Sequence, residues 1–480
     1  MRAYLATSIG VACTAALILP LSLPSDAVAA PGAAVPHAVP QRAASQQPTV
    51  PADTADTADT AEPPGSTQSL PLAPLGRNRA LGSAAQQGVT RRDVGSFSLL
   101  GLVWESADEE LDGKVQVRTR ASGTRRWSPW QELETHNHEH GADRGTEERD
   151  SGTVRGSTAP LWVGGSDGVE VRVRPAGRAG AAGAPRARLP EGLRLELVDP
   201  GNGLPSSGGT VAEIGVTPDD IVGDGAAGRP PGRQHRSLGA AVPNDPRSAN
   251  AGLTIRGGTE IPALSRKQTM AALRYSRPHV GPRPRIITRR GWGANERMRE
   301  RDFGYTGSVV KAAFVHHTGT GNNYRCAQAP SVLRSIYRYH VKSSGWRDIG
   351  YNFAIDRCGN IYEGRAGGVA RSVVGAHTLG FNTNSMGIAV LGTYNRMRPP
   401  AATTTAIARL TAWKLGMYGV NPRGKVTLTS AGSDKYRRGM RVRLNTISGH
   451  RDGFATECPG TRLYEKLGKA RRSSAWYQGR

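Results

Sequence analysis

The sequence predicts an α/β domain over residues 285–480, a mixed β-sheet flanked by helices. A separate small all-β domain over 95–200 precedes it, and disordered linkers join the parts. Three observations carry this reading. Strand-like and helix-like runs alternate beyond Ile286, as in a layered sheet. Between Ser96 and Pro200 apolar residues recur with period two and no helical period is present. The intervening segments are rich in Gly, Pro, Ala and Ser, in a chain of 480 residues with 61 Gly and 32 Pro.

The N-terminus reads as a secretory signal peptide, 1–29. Arg2 gives a basic start, Leu5 to Leu23 is apolar, and Ala27-Val28-Ala29 is a small-x-small cleavage site. Cys13 is not read as a lipidation site, because Gly10-Val11-Ala12-Cys13 lacks a large apolar residue three positions before the cysteine. No later apolar run approaches the roughly 18 residues of a membrane helix, which excludes a multi-pass membrane protein. Residues 30–94, with the repeat starting at Ala52-Asp53-Thr54, read as a disordered linker.

In the all-β domain, Phe97 to Trp104 is a strand-like run. Lys114–Arg120, Val169–Arg174 and Leu193–Val198 alternate, which suggests a sandwich. Trp127 and Trp130 are read as core residues, with carbohydrate stacking as the alternative. His136-Asn137-His138-Glu139-His140 has polar, Gly-containing flanks and reads as a flexible surface loop rather than a preformed metal site. Residues 201–284 read as a low-complexity linker.

The last domain begins with Ala312 to His316 as a buried strand. Pro330 to Tyr339 carries apolar residues at helical spacing, with Pro330 in the first turn. Tyr351–Asp356 and Gly359–Tyr362 form a hairpin around Cys358-Gly359. Met386–Leu391 is a strand, Thr403–Tyr418 a helix stopped by Gly419, and Leu463–Leu467 the start of a last helix. Almost all of the net charge of +24 lies here: 285–480 holds 33 basic and 10 acidic residues. Such a field attracts polyanions, either nucleic acid or an anionic cell wall.

His316, His450 and Cys458 form the chemically informative set. His316 ends an apolar strand, where a side chain projects from a rigid edge. His450 and Cys458 are joined by a loop short enough to bring both to one cation, and Cys458-Pro459-Gly460 leads into a helix whose N-terminus favours a thiolate. Two imidazoles and a thiolate give Zn2+ three protein ligands and leave a fourth position for water, the arrangement of a catalytic site. His317, the next strand residue, faces the other way. With the signal peptide removed, three cysteines remain. If Cys458 binds metal, Cys326 and Cys358 are left to form a disulfide.

These residues lie within a series of motifs. Ile287–Ala294, Phe314–Thr318 and Tyr339-His340 are followed by Gly345–Phe353, Ile361–Arg365, Gly375–Thr378 and Gly387–Ala389. Gly449–Asp452, Thr456 and Cys458–Gly460 complete the series. Together they resemble the peptidoglycan recognition proteins and type 2 amidases, which are zinc-dependent N-acetylmuramoyl-L-alanine amidases. The resemblance covers about 285–475; the segment 95–200 is similar to an N-terminal region of actinobacterial members. It implies His316, His450 and Cys458 as zinc ligands, Tyr351 and Thr456 as catalytic residues, and His377, Arg365 and Trp346 along the substrate cleft. Glu363 is read as a structural partner of Arg365 rather than as the general base. Val426–Ile447, with Lys435, Arg437, Arg438, Arg441 and Arg443, departs from the family pattern. It either widens the cleft rim and grips an anionic polymer or is a solvated hairpin.

The expectation is therefore a secreted or cell-wall-associated monomeric zinc amidase acting on peptidoglycan, with anionic wall polymers as further partners. No nucleic acid is expected, since no reading motif is present and the signal opposes it, and no membrane association after signal cleavage. The alternative is a non-catalytic peptidoglycan-binding protein of the same fold.

Overall fold

Alternation in sequence becomes alternation in burial. In the strand Gly113–Ala121, Val115, Val117 and Thr119 point inward and are at most 4% exposed, while the residues between them face out. The computed structural model describes residues 65–75, 86–176, 188–201, 258–273, 278–301, 307 and 309–480, all within one unit spanning 62–480. The segment read as a signal peptide, 1–29, with Cys13, lies outside the described residues.

The N-terminal domain is all-β. Its strands are β1 (Ser66–Pro71), β2 (Ala73–Pro74), β3 (Gln87–Trp104), β4 (Gly113–Ala121), β5 (Gln131–Leu133), β6 (Gly156–Ser157), β7 (Leu161–Pro175) and β8 (Arg194–Asp199). They form one sheet in the order β1-β8-β3-β7-β4-β5, with β2 and β6 also paired to β3. The long β3 and β7 run together antiparallel, with register shifts after Val89, Asp93 and Phe97, and side chains from β3, β4, β5, β7 and β8 enclose one core. β1 and β2 fall in the stretch read as a disordered linker. They escaped notice because short edge strands need little apolar sequence.

Trp127 and Trp130 are not core residues. Both are half-buried, with Arg91 and Arg118 over Trp127 and Arg118 and Arg172 over Trp130, each 4.2–5.5 Å from a ring centroid.

The second domain is a mixed sheet. Its strands are β9 (Glu260–Ile261), β10 (Ile286–Ile287), β11 (Ala312–His317), β12 (Phe353–Ile355), β13 (Ile361–Glu363), β14 (Ser385–Val390) and β17 (Ile447–Gly449), in the order β17-β11-β14-β12-β13-β10-β9. β15 (Lys425–Thr429) and β16 (Arg441–Asn445) form a separate hairpin. β11 lies parallel to both β14 and β17 and is buried along its whole length, as expected of a strand covered on both faces.

The helices are α1 (Arg266–Ala272), α2 (Ala329–Arg338), α3 (Ala401–Met417), α4 (His450–Gly453), α5 (Thr461–Tyr464) and α6 (Leu467–Tyr477). α3 and α6 contribute Ile407, Leu410, Leu467 and Ala470 to the core on one face of the sheet, and α2 contributes Val332 and Ile336 on the other. Beyond the end of α3, Gly419 has a φ of +72° and makes the reversal that a side chain would strain. β9 and α1 lie in the stretch read as linker. β9 pairs with β10, so this part of 201–284 belongs to the second domain.

The two domains dock through β3. Leu100, Leu102 and Trp104 fill the core of the β domain, while Leu99 and Val103 point the other way into the cluster around α2. Period-two alternation with both faces buried accounts for the continuous apolar run in the sequence. Between Leu99 and Val103, Gly101 leaves room for the Tyr339 hydroxyl, which lies 2.9 Å from the Leu102 carbonyl and 3.1 Å from that of Thr158.

The β15–β16 hairpin is not merely solvated. Leu428, Val442 and Leu444 are buried against Phe314 and Phe381. The Cys326–Cys358 disulfide is formed, with its Cα atoms 6.2 Å apart, and ties the start of α2 to the β12–β13 turn.

Candidate metal centre and cleft

Parallel strands deliver their C-terminal ends to one edge of a sheet, where ligands bind in open α/β folds. β11 brings His316 to that edge. In the β11–β17 register Val315 lies opposite Gly449, so the next residue, His450, emerges beside His316. The two ring centroids are 4.5 Å apart. The loop from His450 to Cys458 folds back because the Arg451 amide donates to the Cys458 carbonyl at 2.9 Å. Gly449 is required at the bend: a Cβ there would come within 2.7 Å of the Tyr464 ring.

The three expected ligands therefore converge. His316, His450 and Cys458 are all buried, and Cys458 is a free thiol with Sγ 3.8 Å from His316 Nδ1. A fourth donor joins them. One ligand atom each from His140, His316, His450 and Cys458 lies within 4.8 Å of the others. Donors around a tetrahedral zinc sit roughly 3.5 Å apart, so a small contraction would seat the ion.

The polar atoms are otherwise poorly satisfied. Neither ring nitrogen of His140 has a hydrogen-bond partner among the described residues. Those of His450 have none beyond a loose approach to the Glu139 carbonyl. A buried donor without a partner costs about 1–3 kcal/mol, and a cation that accepts these lone pairs removes that cost. Imidazole and thiolate together suit zinc.

Burial holds the His316 and His450 imidazoles well below the usual histidine range, with neighbouring histidines adding to the effect, so both are neutral and able to ligate. The expectation that a helix start stabilises the Cys458 thiolate is not met. Burial pushes this thiol up, and α5 begins only at Thr461. A bound cation would have to supply the stabilisation.

The remaining expected site residues surround this cluster. The Tyr351 ring centroid is 5.5 Å from that of His316, and burial raises its phenol well above the usual range. Thr456 Oγ1 accepts from the Cys458 amide at 3.1 Å and donates to Glu139 Oε1 at 2.7 Å. His377 is fully buried beside His316, packed on Gly387 and bonded to Thr378 at 3.0 Å, and burial pulls its imidazole down to about 3. Trp346 stacks on His340 with centroids 4.3 Å apart and is covered by Ala142 and Val154. Arg365 donates to both carboxylate oxygens of Glu148, at 2.8 and 2.6 Å. Glu363 is not the partner of Arg365; its carboxylate accepts from the Arg289 amide at 3.3 Å. His317 faces away, as expected, and Nδ1 accepts from the Tyr394 amide at 3.2 Å.

The expectation that His136–His140 is a flexible surface loop without a metal role is not met for Glu139 and His140, which are buried against the site. Glu148, further along the same β5–β6 connection, carries no motif that marks it in the sequence. The unusual density of His and acidic residues in this connection is the signal the sequence offers.

Residues 306–461 match the family described as "N-acetylmuramoyl-L-alanine amidase", and residues 51–191 match "Rv3811 N-terminal galactose-binding domain-like". The chain is 34% identical over 184 residues to peptidoglycan-recognition protein SC2 of Drosophila simulans, covering 38% of this chain and 84% of that protein. It is 33% identical over 159 residues to a human N-acetylmuramoyl-L-alanine amidase, covering 32% of this chain and 23% of that one. The solved structure of Drosophila PGRP-LB aligns with a TM-score of 0.30 and 26% identity, over 38% of this chain and 92% of that one. At more than 30% identity across most of the length of its fly relative, the chain belongs to the family of peptidoglycan-recognition proteins and N-acetylmuramoyl-L-alanine amidases.

Proposed function

We propose that this protein is a secreted, zinc-dependent N-acetylmuramoyl-L-alanine amidase that hydrolyses the lactyl amide between muramic acid and L-alanine in peptidoglycan. The observation that carries this reading is Cys458: a buried, unoxidised thiol beside His316 and His450 at the C-terminal edge of the sheet. His316, His450 and Cys458 would hold the zinc, which would supply a Lewis acid and lower the pKa of water toward roughly 7.

The chain's own residues do the rest. Tyr351 is held as a neutral phenol, so its hydroxyl remains a donor to the oxygen that gains negative charge. The Thr456 hydroxyl is a second donor once it leaves Glu139. The His316 and His450 imidazoles stay neutral and keep their lone pairs for the metal. The excess of basic residues in 285–480 draws the domain to an anionic wall. The disulfide, with the signal-like sequence at 1–29, supports an extracellular or cell-wall location. We take the working unit to be a monomer.

Purified sacculi, incubated with and without chelator, are expected to release new L-alanine amines only when metal is present. New glycan reducing ends in their place would reject the reaction. A non-catalytic binding protein is the second reading, favoured by the fourth donor, His140, since four protein ligands are typical of a structural site. Cys458→Ser separates the two: the amidase reading expects sacculus digestion to fall at least about a thousandfold with binding retained.

A further inference from the structure

The β5–β6 connection, 134–155, is long for a link between neighbouring strands, and such loops usually have a task. It lies across the second domain and meets the expected site residues one by one. His140 enters the metal cluster, and its ring packs at 4.6 Å from that of His450 and 5.9 Å from that of Tyr351. Glu139 holds the Thr456 hydroxyl. Ala142 covers Trp346. Asp143 accepts from the Gly380 amide and from Asn382 Nδ2, at 2.7 and 2.8 Å. Glu148 pairs with Arg365 in a salt bridge whose side chains are 0% and 5% exposed.

Simple domain packing does not account for this. Desolvating an imidazole and three carboxylates is costly unless each meets a matching group. The match here is chemical: a carboxylate on the buried guanidinium, a carboxylate on amide donors, and an imidazole among metal donors. Neither ring nitrogen of His140 has any other partner among the described residues, although the residue is only 8% exposed. A small gap remains beside the cluster, bordered by Glu139, His140, His317, Thr456 and Cys458; at about 10 Å³ it has room for a single water. His140 lies outside the amidase match at 306–461, in the part that matches the N-terminal family.

We propose that His140 is the fourth ligand of the metal, and that segment 134–155 is an intramolecular occupant of the substrate cleft, with Glu148 supplying the counter-charge of Arg365. Four protein donors close the coordination position that hydrolysis needs open. The full chain is therefore held at low activity, and peptidoglycan gains access only in the fraction of molecules whose segment has left. This rests on the amidase reading for the identity of the cleft, but the coordination of His140 can be measured without it.

The test uses the chain from Ala30 to Arg480 loaded with Co2+ in place of zinc, and acetohydroxamate as a small probe of an open coordination position. In the parent protein the visible spectrum should be that of a four-coordinate site and should not respond to acetohydroxamate. His140→Ala should change the spectrum, make it respond to the probe, and weaken zinc at least about tenfold in chelator competition. Glu148→Gln should speed tryptic cutting after Arg144 and Arg149 at least tenfold, and the double variant should digest sacculi at least tenfold faster than the parent. A metal-loaded His140→Ala protein with an unchanged spectrum and unchanged zinc affinity would overturn the fourth-ligand assignment. A double variant no faster than the parent, while still releasing L-alanine amines, would overturn cleft occupancy. Spectral changes as expected with no amine released by any variant would uphold His140 as a ligand and reject the amidase reading instead.

Discussion

Cys458 and Tyr351 owe their chemistry to the same condition, removal from water. For the thiol, burial disfavours the charged form, so the residue is suited to ligation only when a cation is present. For the phenol, burial preserves the proton that makes it a donor. Tyr351→Phe removes that donor and little volume. It should lower kcat on sacculi by about 10²–10³-fold and leave zinc affinity unchanged. Steady-state rates and chelator competition read the two effects separately. An equal fall in zinc affinity would assign Tyr351 to holding the site together rather than to the reacting oxygen.

At the scale of elements, the docking of β3 on α2 depends on a missing side chain. A Cβ on Gly101 would overlap the Tyr339 hydroxyl, which bonds to backbone carbonyls of the β domain. Gly101→Ala should cost about 1–3 kcal/mol by overpacking. Urea unfolding followed by tryptophan fluorescence should show a lower midpoint, and a separate early transition if the β domain lets go first. The disulfide acts on another pair of elements. It closes a separation of 32 residues between the start of α2 and the β12–β13 turn. Cys326→Ser, which leaves the metal cluster untouched, should cost about 3 kcal/mol in the chain-entropy account. A melting curve without reductant, compared with that of the parent, measures the loss.

For the molecule as a whole, acid is the expected weakness. Burial holds His340 down to about 3, and the same holds for His377. In the unfolded chain these imidazoles protonate near 6.5. Between about pH 6.5 and 3 the unfolded state binds more protons, so stability falls as pH drops through that window, and these groups add no slope above it. Urea midpoints at pH 7.5, 6 and 5 should decline in that order, and a flat profile would refute the assignment of neutral buried imidazoles.

Local pattern was enough for much of the molecule. Period-two runs marked β4, β7 and β8 because one buried face imposes alternation, and apolar runs marked β11 and β14 because both faces are covered. His316, His450 and Cys458 were legible as a set because a strand end and a short loop constrain where side chains can go. Tertiary structure alone decided three other matters. It placed β1, β2 and β9 in sheets, since short strands at sheet edges are held by hydrogen bonds to distant partners rather than by their own composition. It packed His377 against His316 and Gly387, contacts between separate stretches of chain. It also turned 134–155 from a polar loop into a covered segment, because the guanidinium, the amides and the metal donors that satisfy its charges lie some two to three hundred residues further along the chain. Burial of a charged group is fixed by the partner it meets, and no local periodicity records that partner.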